Sequence, residues 1–164
     1  MLKVITEKNT DAFIKIRLEG LKDSPQTFGA SYEEGLDKDQ TYNNLQNRTD
    51  EYCIPGFFEG EVLAGIIGFI REPKLKKKHK AIIWGMYVSP GFRIKGIAKK
   101  LLLEVIRRAK NIDGLSKIIL SVTQPQEKAL GFYEHFGFVK YAVEKDALRV
   151  DGQKIDEIFL SLEF

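Results

Sequence analysis

The sequence predicts an α/β fold in one domain covering residues 1–164. Three features predict it. A meander of three strand-like runs lies between Tyr52 and Val88. A strand–helix–strand unit spans Ala81–Val122, and such a crossover sets two parallel or adjacent strands with the helix on one face. The loop Val88-Ser89-Pro90-Gly91-Phe92-Arg93-Ile94-Lys95-Gly96-Ile97-Ala98 joins the first strand of that unit to its helix. That is the carboxyl end of a strand, where open α/β sheets bind ligands.

The elements follow in chain order. Leu2–Thr6 reads as a short opening strand. Asn9 or Thr10 can cap a helix with Asp11 in its first turn, and Phe13, Ile16, Leu18 and Leu21 carry its apolar stripe to about Lys22. Ser24-Pro25 stops it. A second helical region is expected over Ser31–Asn47, on the thin pattern Tyr32, Leu36, Tyr42 and Leu45. Tyr52–Glu59 reads as a strand that Pro55-Gly56 places at an edge or kinks. Gly60-Glu61 makes a hairpin turn to the apolar strand Val62–Arg71. A polar loop, Glu72–Lys80, precedes the buried strand Ala81–Val88.

From Gly96 to Ile112 the period becomes helical, with Ile97, Leu101, Val105 and Ala98, Leu102, Ile106, Ala109 on the apolar face. Asp113-Gly114 ends it. Ser116–Thr123 is a strand, Gln126–Phe136 a shorter helix stopped by Gly137, and Phe138–Glu144 and Lys154–Leu162 close the chain around an Asp151-Gly152 turn.

Composition narrows the function. Hydrophobic residues make up 43% and charged residues 30%, the balance of a soluble globular protein. The formal net charge of +3 is too small to argue for nucleic acid. The lysines at 74, 76, 77, 78 and 80 have no interleaved aromatics to stack bases, so they read as a solvated loop. Cys53 is the only cysteine, which rules out an internal disulfide and a cysteine metal cluster and reads as a half-buried strand residue rather than a nucleophile. No metal site is expected. The opening MLKVITEKNT lacks a signal-peptide apolar core and no run is long enough to cross a bilayer, so a cytoplasmic location with no membrane partner is the default.

The loop at 93–98 carries the chemistry. A helix N-terminus offers unpaired N–H groups and the positive end of the helix dipole, which together make an anion site. Gly96 lets the backbone approach a ligand that a Cβ would hold off. Arg93, Lys95, Lys99 and Lys100 add positive charge. The residues therefore point to a ligand with a pyrophosphate or several phosphates. A nucleotide-phosphate enzyme is disfavoured, since no Gly-x-x-x-x-Gly-Lys-Ser/Thr motif occurs.

Two blocks resemble a known family, the GNAT superfamily of N-acetyltransferases. Val88, Pro90, Arg93, Gly96 and Ala98 match its acetyl-CoA-binding motif: Val-x-Pro, then Arg or Gln, two residues, Gly, one residue, Gly or Ala. Downstream, Gln126, Ala129, Tyr133, Glu134, Gly137 and Phe138 are similar to its second block, with glutamine replacing the usual asparagine. The stretch Arg17–Pro25 and Phe28–Glu34 also resembles the acceptor-side helices of many bacterial members. The resemblance implies a mixed, mostly antiparallel sheet of about seven strands flanked by four helices. It implies acetyl-CoA as cosubstrate and acetyl transfer to a primary amine of a small molecule, peptide or protein. The alternative is a noncatalytic acyl-CoA-binding module of the same fold.

Residue by residue, the resemblance implies that the backbone of Ile94, Lys95, Gly96, Ile97 and Ala98, with Arg93 and Lys99, holds the pyrophosphate. The strand edge at Met86, Tyr87 and Val88 pairs with the pantetheine arm, and the Val88 N–H lies near the thioester oxygen. Gln126 offers an amide to the same arm or caps its helix. Tyr133 protonates the departing thiolate, a task a phenol can perform because it keeps its proton at neutral pH. The competing reading makes Tyr133 a core residue against the long helix. For a general base the sequence offers Tyr32, Glu33, Glu34, His79 and His135 without choosing among them. A homodimer is a family-level expectation, with Leu103 and the last strand as candidate contacts.

Overall fold

The computed structural model describes all 164 residues. Its strands are β1 (Leu2–Val4), β2 (Tyr52–Cys53), β3 (Pro55–Glu59), β4 (Val62–Arg71), β5 (Lys80–Val88), β6 (Lys117–Thr123), β7 (Val139–Val150) and β8 (Gln153–Glu163). Its helices are α1 (Thr10–Asp23), α2 (Lys38–Gln46), α3 (Ile97–Lys110) and α4 (Glu127–His135). The strands form one mixed sheet in the order β1-β3-β4-β5-β6-β8-β7, with β2 also paired to β4. Only β5 and β6 run parallel, as the crossover between them requires.

The expected α/β architecture is present, with two corrections. The helix expected over residues 31–47 is split. Tyr32–Glu34 forms a single 3-10 turn, and α2 begins only at Lys38, where the Asp37 carboxylate accepts from the Gln40 N–H. Gly35 between them has a φ of +66°, which a continuous helix forbids. The strand expected over residues 52–59 is also interrupted. Both pieces pair with β4, but Ile54 leaves the ladder and Pro55 has no N–H to give. That break accounts for eight strands instead of seven. The last two strands are longer than their apolar cores predict, because the Asp151-Gly152 turn extends the ladder to Val150↔Gln153.

Two cores lie on the two faces of the sheet. One holds α3, α4 and the inward residues of β4–β6 and β8, including Phe69, Leu101, Leu102, Ile118, Phe138 and Leu160. The strong amphipathic period of α3 buries Ile97, Leu101, Leu102, Val105 and Ala109 there. The other core packs Phe13, Ile16 and Leu21 of α1 and Leu45 of α2 on Ile54, Phe58, Ile66 and Tyr87. Cys53 is buried, and burial pushes its thiol pKa up, so it behaves as a core residue.

β5 carries the feature that positions the site. Opposite β4 its register jumps between Gly68↔Trp84 and Ile66↔Tyr87, so Gly85 and Met86 together face Ile67. Gly85 takes a φ of +61° at this bulge. The extra residue puts Trp84 and Tyr87 on the α1 face and turns Met86 and Val88 toward α3 and α4.

Candidate active site

β5 and β6 pair only from Lys80↔Lys117 to Ile82↔Ile119. Beyond that β6 stays with β8 while β5 leans to β4, and the sheet opens between them. The Ser89 N–H donates to the Ala64 carbonyl on the β4 side. Alternation along a strand then aims the Val88 N–H at the opening. The opening is a cleft of about 480 Å³ that passes through the sheet. Ala129 and Tyr133 of α4 line it on one face, and Arg17 of α1, Phe28 and Trp84 on the other.

At the open end of β5 the chain makes a 3-10 turn at Pro90–Phe92 and enters α3. Gly96 is the N-cap of α3 with a φ of +71°, and a Cβ there would meet open space. The N–H groups of Gly96, Ile97, Ala98 and Lys99 make no main-chain hydrogen bond, so four donors face outward at the positive end of a 14-residue helix. Ile94 is fully exposed with a φ of +69°, an unfavourable conformation for a β-branched residue.

The cations divide into two groups. The Arg93 guanidinium donates to the Val88 carbonyl at 3.0 Å and to the Asp23 carboxylate at 2.5 Å, and it lies over the Tyr87 ring. Arg93 thus ties the loop to the end of α1. Asp23 is correspondingly held below the usual carboxylate range, chiefly by that hydrogen bond. Lys95 sits over the Phe92 ring and 3.9 Å from Glu59. Lys99 is exposed and has no ion pair, so it is free to meet an anion.

Tyr133 sits where the core meets the cleft. It is buried in the α3–α4 core, edge-on to Phe132 and Phe138, yet its hydroxyl reaches the cleft and donates to the Met86 sulfur at 3.2 Å. Burial pushes its pKa well above the phenol range, so the proton stays on oxygen at any physiological pH. Two buried side-chain polar atoms in the protein lack a hydrogen-bond partner, Arg17 Nη1 and Thr123 Oγ1, and both residues line this cleft.

The other named residues lie elsewhere. Gln126 precedes α4 without a side-chain cap and borders a separate hollow with Gln124 and Glu127. His79 is exposed at the closed end of the β5–β6 pair, where its carbonyl accepts from Ser116 and Lys117. His135 is exposed against Phe136. The Glu34 carboxylate is used to cap the Ser31 N–H, and Tyr32 and Glu33 border a hollow against the β7–β8 hairpin. None of these six lines the cleft. Trp84, Thr123 and Glu157 do, and the sequence did not single them out. Gly85 inside an apolar strand was the available signal for the bulge that sets Trp84.

A model of the acetyltransferase (GNAT) family matches residues 18–138, from α1 through the end of α4. The chain belongs to the GNAT family. An uncharacterized N-acetyltransferase of Escherichia coli K12, YjgM, is 33% identical over 125 residues, which cover 69% of this chain and 73% of that one. A GNAT acetyltransferase of Streptococcus pneumoniae superposes with a TM-score of 0.88 at 17% identity, covering 100% of this chain and 99% of its own. The yncA protein of Salmonella typhimurium, solved with acetyl-CoA as its cofactor, superposes at 0.86 and 17% identity, over 99% and 92% of the two chains. These structural likenesses establish the fold. Family membership makes the protein an acyltransferase enzyme, and the matched residues include the β5–α3 loop described above.

Proposed function

We propose that residues 1–164 act as one unit that transfers the acetyl group of acetyl-CoA to a primary amine, with Tyr133 as the acid. The observation that carries this reading is the row of unpaired N–H groups at Gly96–Lys99, set beside a cleft that the Tyr133 hydroxyl enters. The chain fits acetyl-CoA in three respects. The open, left-handed Gly96 leaves room for a diphosphate against the backbone. The unpaired edge of β5 can hydrogen-bond an amide-bearing arm as a sheet edge does a peptide. The orphaned Thr123 hydroxyl offers that arm a partner inside the cleft.

In this reading Ile94, Lys95, Gly96, Ile97 and Ala98 hold the diphosphate through the main chain, and Lys99 adds charge. Arg93 acts by bracing the loop, since its guanidinium is already committed to Val88 and Asp23. Met86, Tyr87 and Val88 supply the strand edge, and Val88 directs its N–H to the acyl oxygen. Bound acetyl-CoA supplies an acetyl group activated as a thioester. Tyr133 holds its proton against the soft sulfur of Met86, a weak acceptor, and can pass it to a thiolate. Tyr133, Met86, Trp84 and Phe28 give the reacting end a largely apolar lining.

Two measurements test this. Titration calorimetry with acetyl-CoA should give a saturable heat, and thiol release should appear when a primary amine is added. Binding without thiol release across a broad amine panel would favour the noncatalytic module. No binding to folded protein would end the reading altogether.

A further inference from the structure

Seven arginines occur in the chain, and six of them pair with a carboxylate: Arg48, Arg71, Arg93, Arg107, Arg108 and Arg149. Arg17 is the exception. It projects from α1 into the cleft, its guanidinium 4.7 Å over the Phe28 ring and 6.0 Å over the Trp84 ring. Nη1 is buried and donates to nothing. The group stays charged at neutral pH and has five N–H donors in a planar fork. Stacking satisfies its faces and leaves its edge without an acceptor. Arg17 as a whole is half-buried, and an unpaired charge drawn even partly out of water is costly for a fold to retain.

The cleft also carries carboxylates. Glu157 on β8 is held by the Ser121 hydroxyl at 2.7 Å, and Glu72 lies at the foot of β5. Cation and anions thus reach one cavity from different elements of the fold. A polyamine would meet Arg17 with like charge, and a neutral amine would leave it unpaired. An amine that also bears a carboxylate matches both signs.

We propose that Arg17 determines acceptor specificity by clasping a carboxylate on the substrate amine through its free guanidinium edge, so that the acceptors are amino acids or similarly carboxylated amines. This rests on the acetyltransferase reading and narrows it. Planar two-point pairing is what a guanidinium offers a carboxylate and a lysine cannot.

The test compares free α-, β- and γ-amino acids with their carboxamides, in wild type and in Arg17→Gln and Arg17→Lys. Thiol release gives kcat/KM, and calorimetry on CoA-saturated protein gives acceptor affinity without turnover. Wild type should prefer at least one acid over its amide by tenfold or more. Arg17→Gln should abolish that preference through KM and leave the acetyl-CoA Kd within twofold. Arg17→Lys, which keeps the charge and the fold, should retain only part of it. Equal use of acid and amide by wild type overturns the inference while acetyl-CoA binding and turnover keep the acetyltransferase reading. A changed acetyl-CoA Kd in Arg17→Gln also overturns it, since Arg17 would then serve the cofactor arm.

Discussion

The Tyr133 hydroxyl donates to the Met86 sulfur across the mouth of the cleft, at 3.2 Å. One residue comes from α4 and the other from the bulge of β5, 47 positions apart in sequence. A thioether is a weak acceptor, so the phenol proton is held in place without being strongly bound. Tyr133→Phe removes the proton and keeps the packing against Phe132 and Phe138. It should lower kcat by about 10²-fold or more, the usual contribution of a positioned acid. The acetyl-CoA Kd should not change. Parallel rates for the two proteins would assign protonation to water or to the substrate.

The β5–α3 loop holds two residues at positive φ, Gly96 and Ile94, with different consequences. Gly96→Val forces a β-branched residue into the left-handed region, at a cost of roughly 1–3 kcal/mol. It also fills the open space before the helix N-terminus. Both Tm and acetyl-CoA affinity should fall. Ile94→Gly relieves strain at a side chain that touches nothing, and should stabilise the protein by about 1 kcal/mol. An unfolding transition at or below that of wild type would show that Ile94 is not strained.

Trp84 lies flat on Gly68 across the β4–β5 pair. A Cβ at Gly68 would come within 2.2–2.6 Å of three atoms of the indole. Gly68→Ala must therefore push Trp84 toward Arg17 and the cleft. We expect a loss of roughly 1–3 kcal/mol, the range for overpacking. We also expect a higher KM for the amine and an unchanged acetyl-CoA affinity. Denaturant midpoints and steady-state kinetics read the two effects separately.

Alkaline pH should expose the buried phenols. Burial raises the pKa of Tyr133, and burial together with the Glu19 carboxylate raises that of Tyr87, both above the ordinary value of 10.0. Above pH 10 the unfolded chain loses these protons and the folded chain keeps them. The folded state then binds more protons, so stability falls as pH rises. This contribution is complete below about pH 10 and disappears as pH climbs toward the folded values. Urea midpoints should drop between pH 9.5 and 11.5, and less steeply for Tyr133→Phe. Superimposable pH curves would remove Tyr133 as a source of the effect.

The sequence alone determined the α/β class, the long helix and the glycine-capped loop that leads into it. Each is set by residues adjacent or one helical turn apart: Gly96 at a cap, Ile97, Leu101 and Val105 on one face, Val88-Ser89-Pro90 at a strand end. It placed Tyr133 on its helix by spacing. Tertiary structure decided what no local pattern encodes. The β5–β6 opening depends on β6 keeping its ladder with β8 while a bulge at Gly85 draws β5 along β4. The Arg93–Asp23 pair joins residues 70 apart, and Arg17, Thr123 and Glu157 meet at the cleft from α1, β6 and β8. Burial and charge pairing among such residues arise only when distant segments pack, which is why the β5–α3 loop could be read in advance and the make-up of the cleft could not.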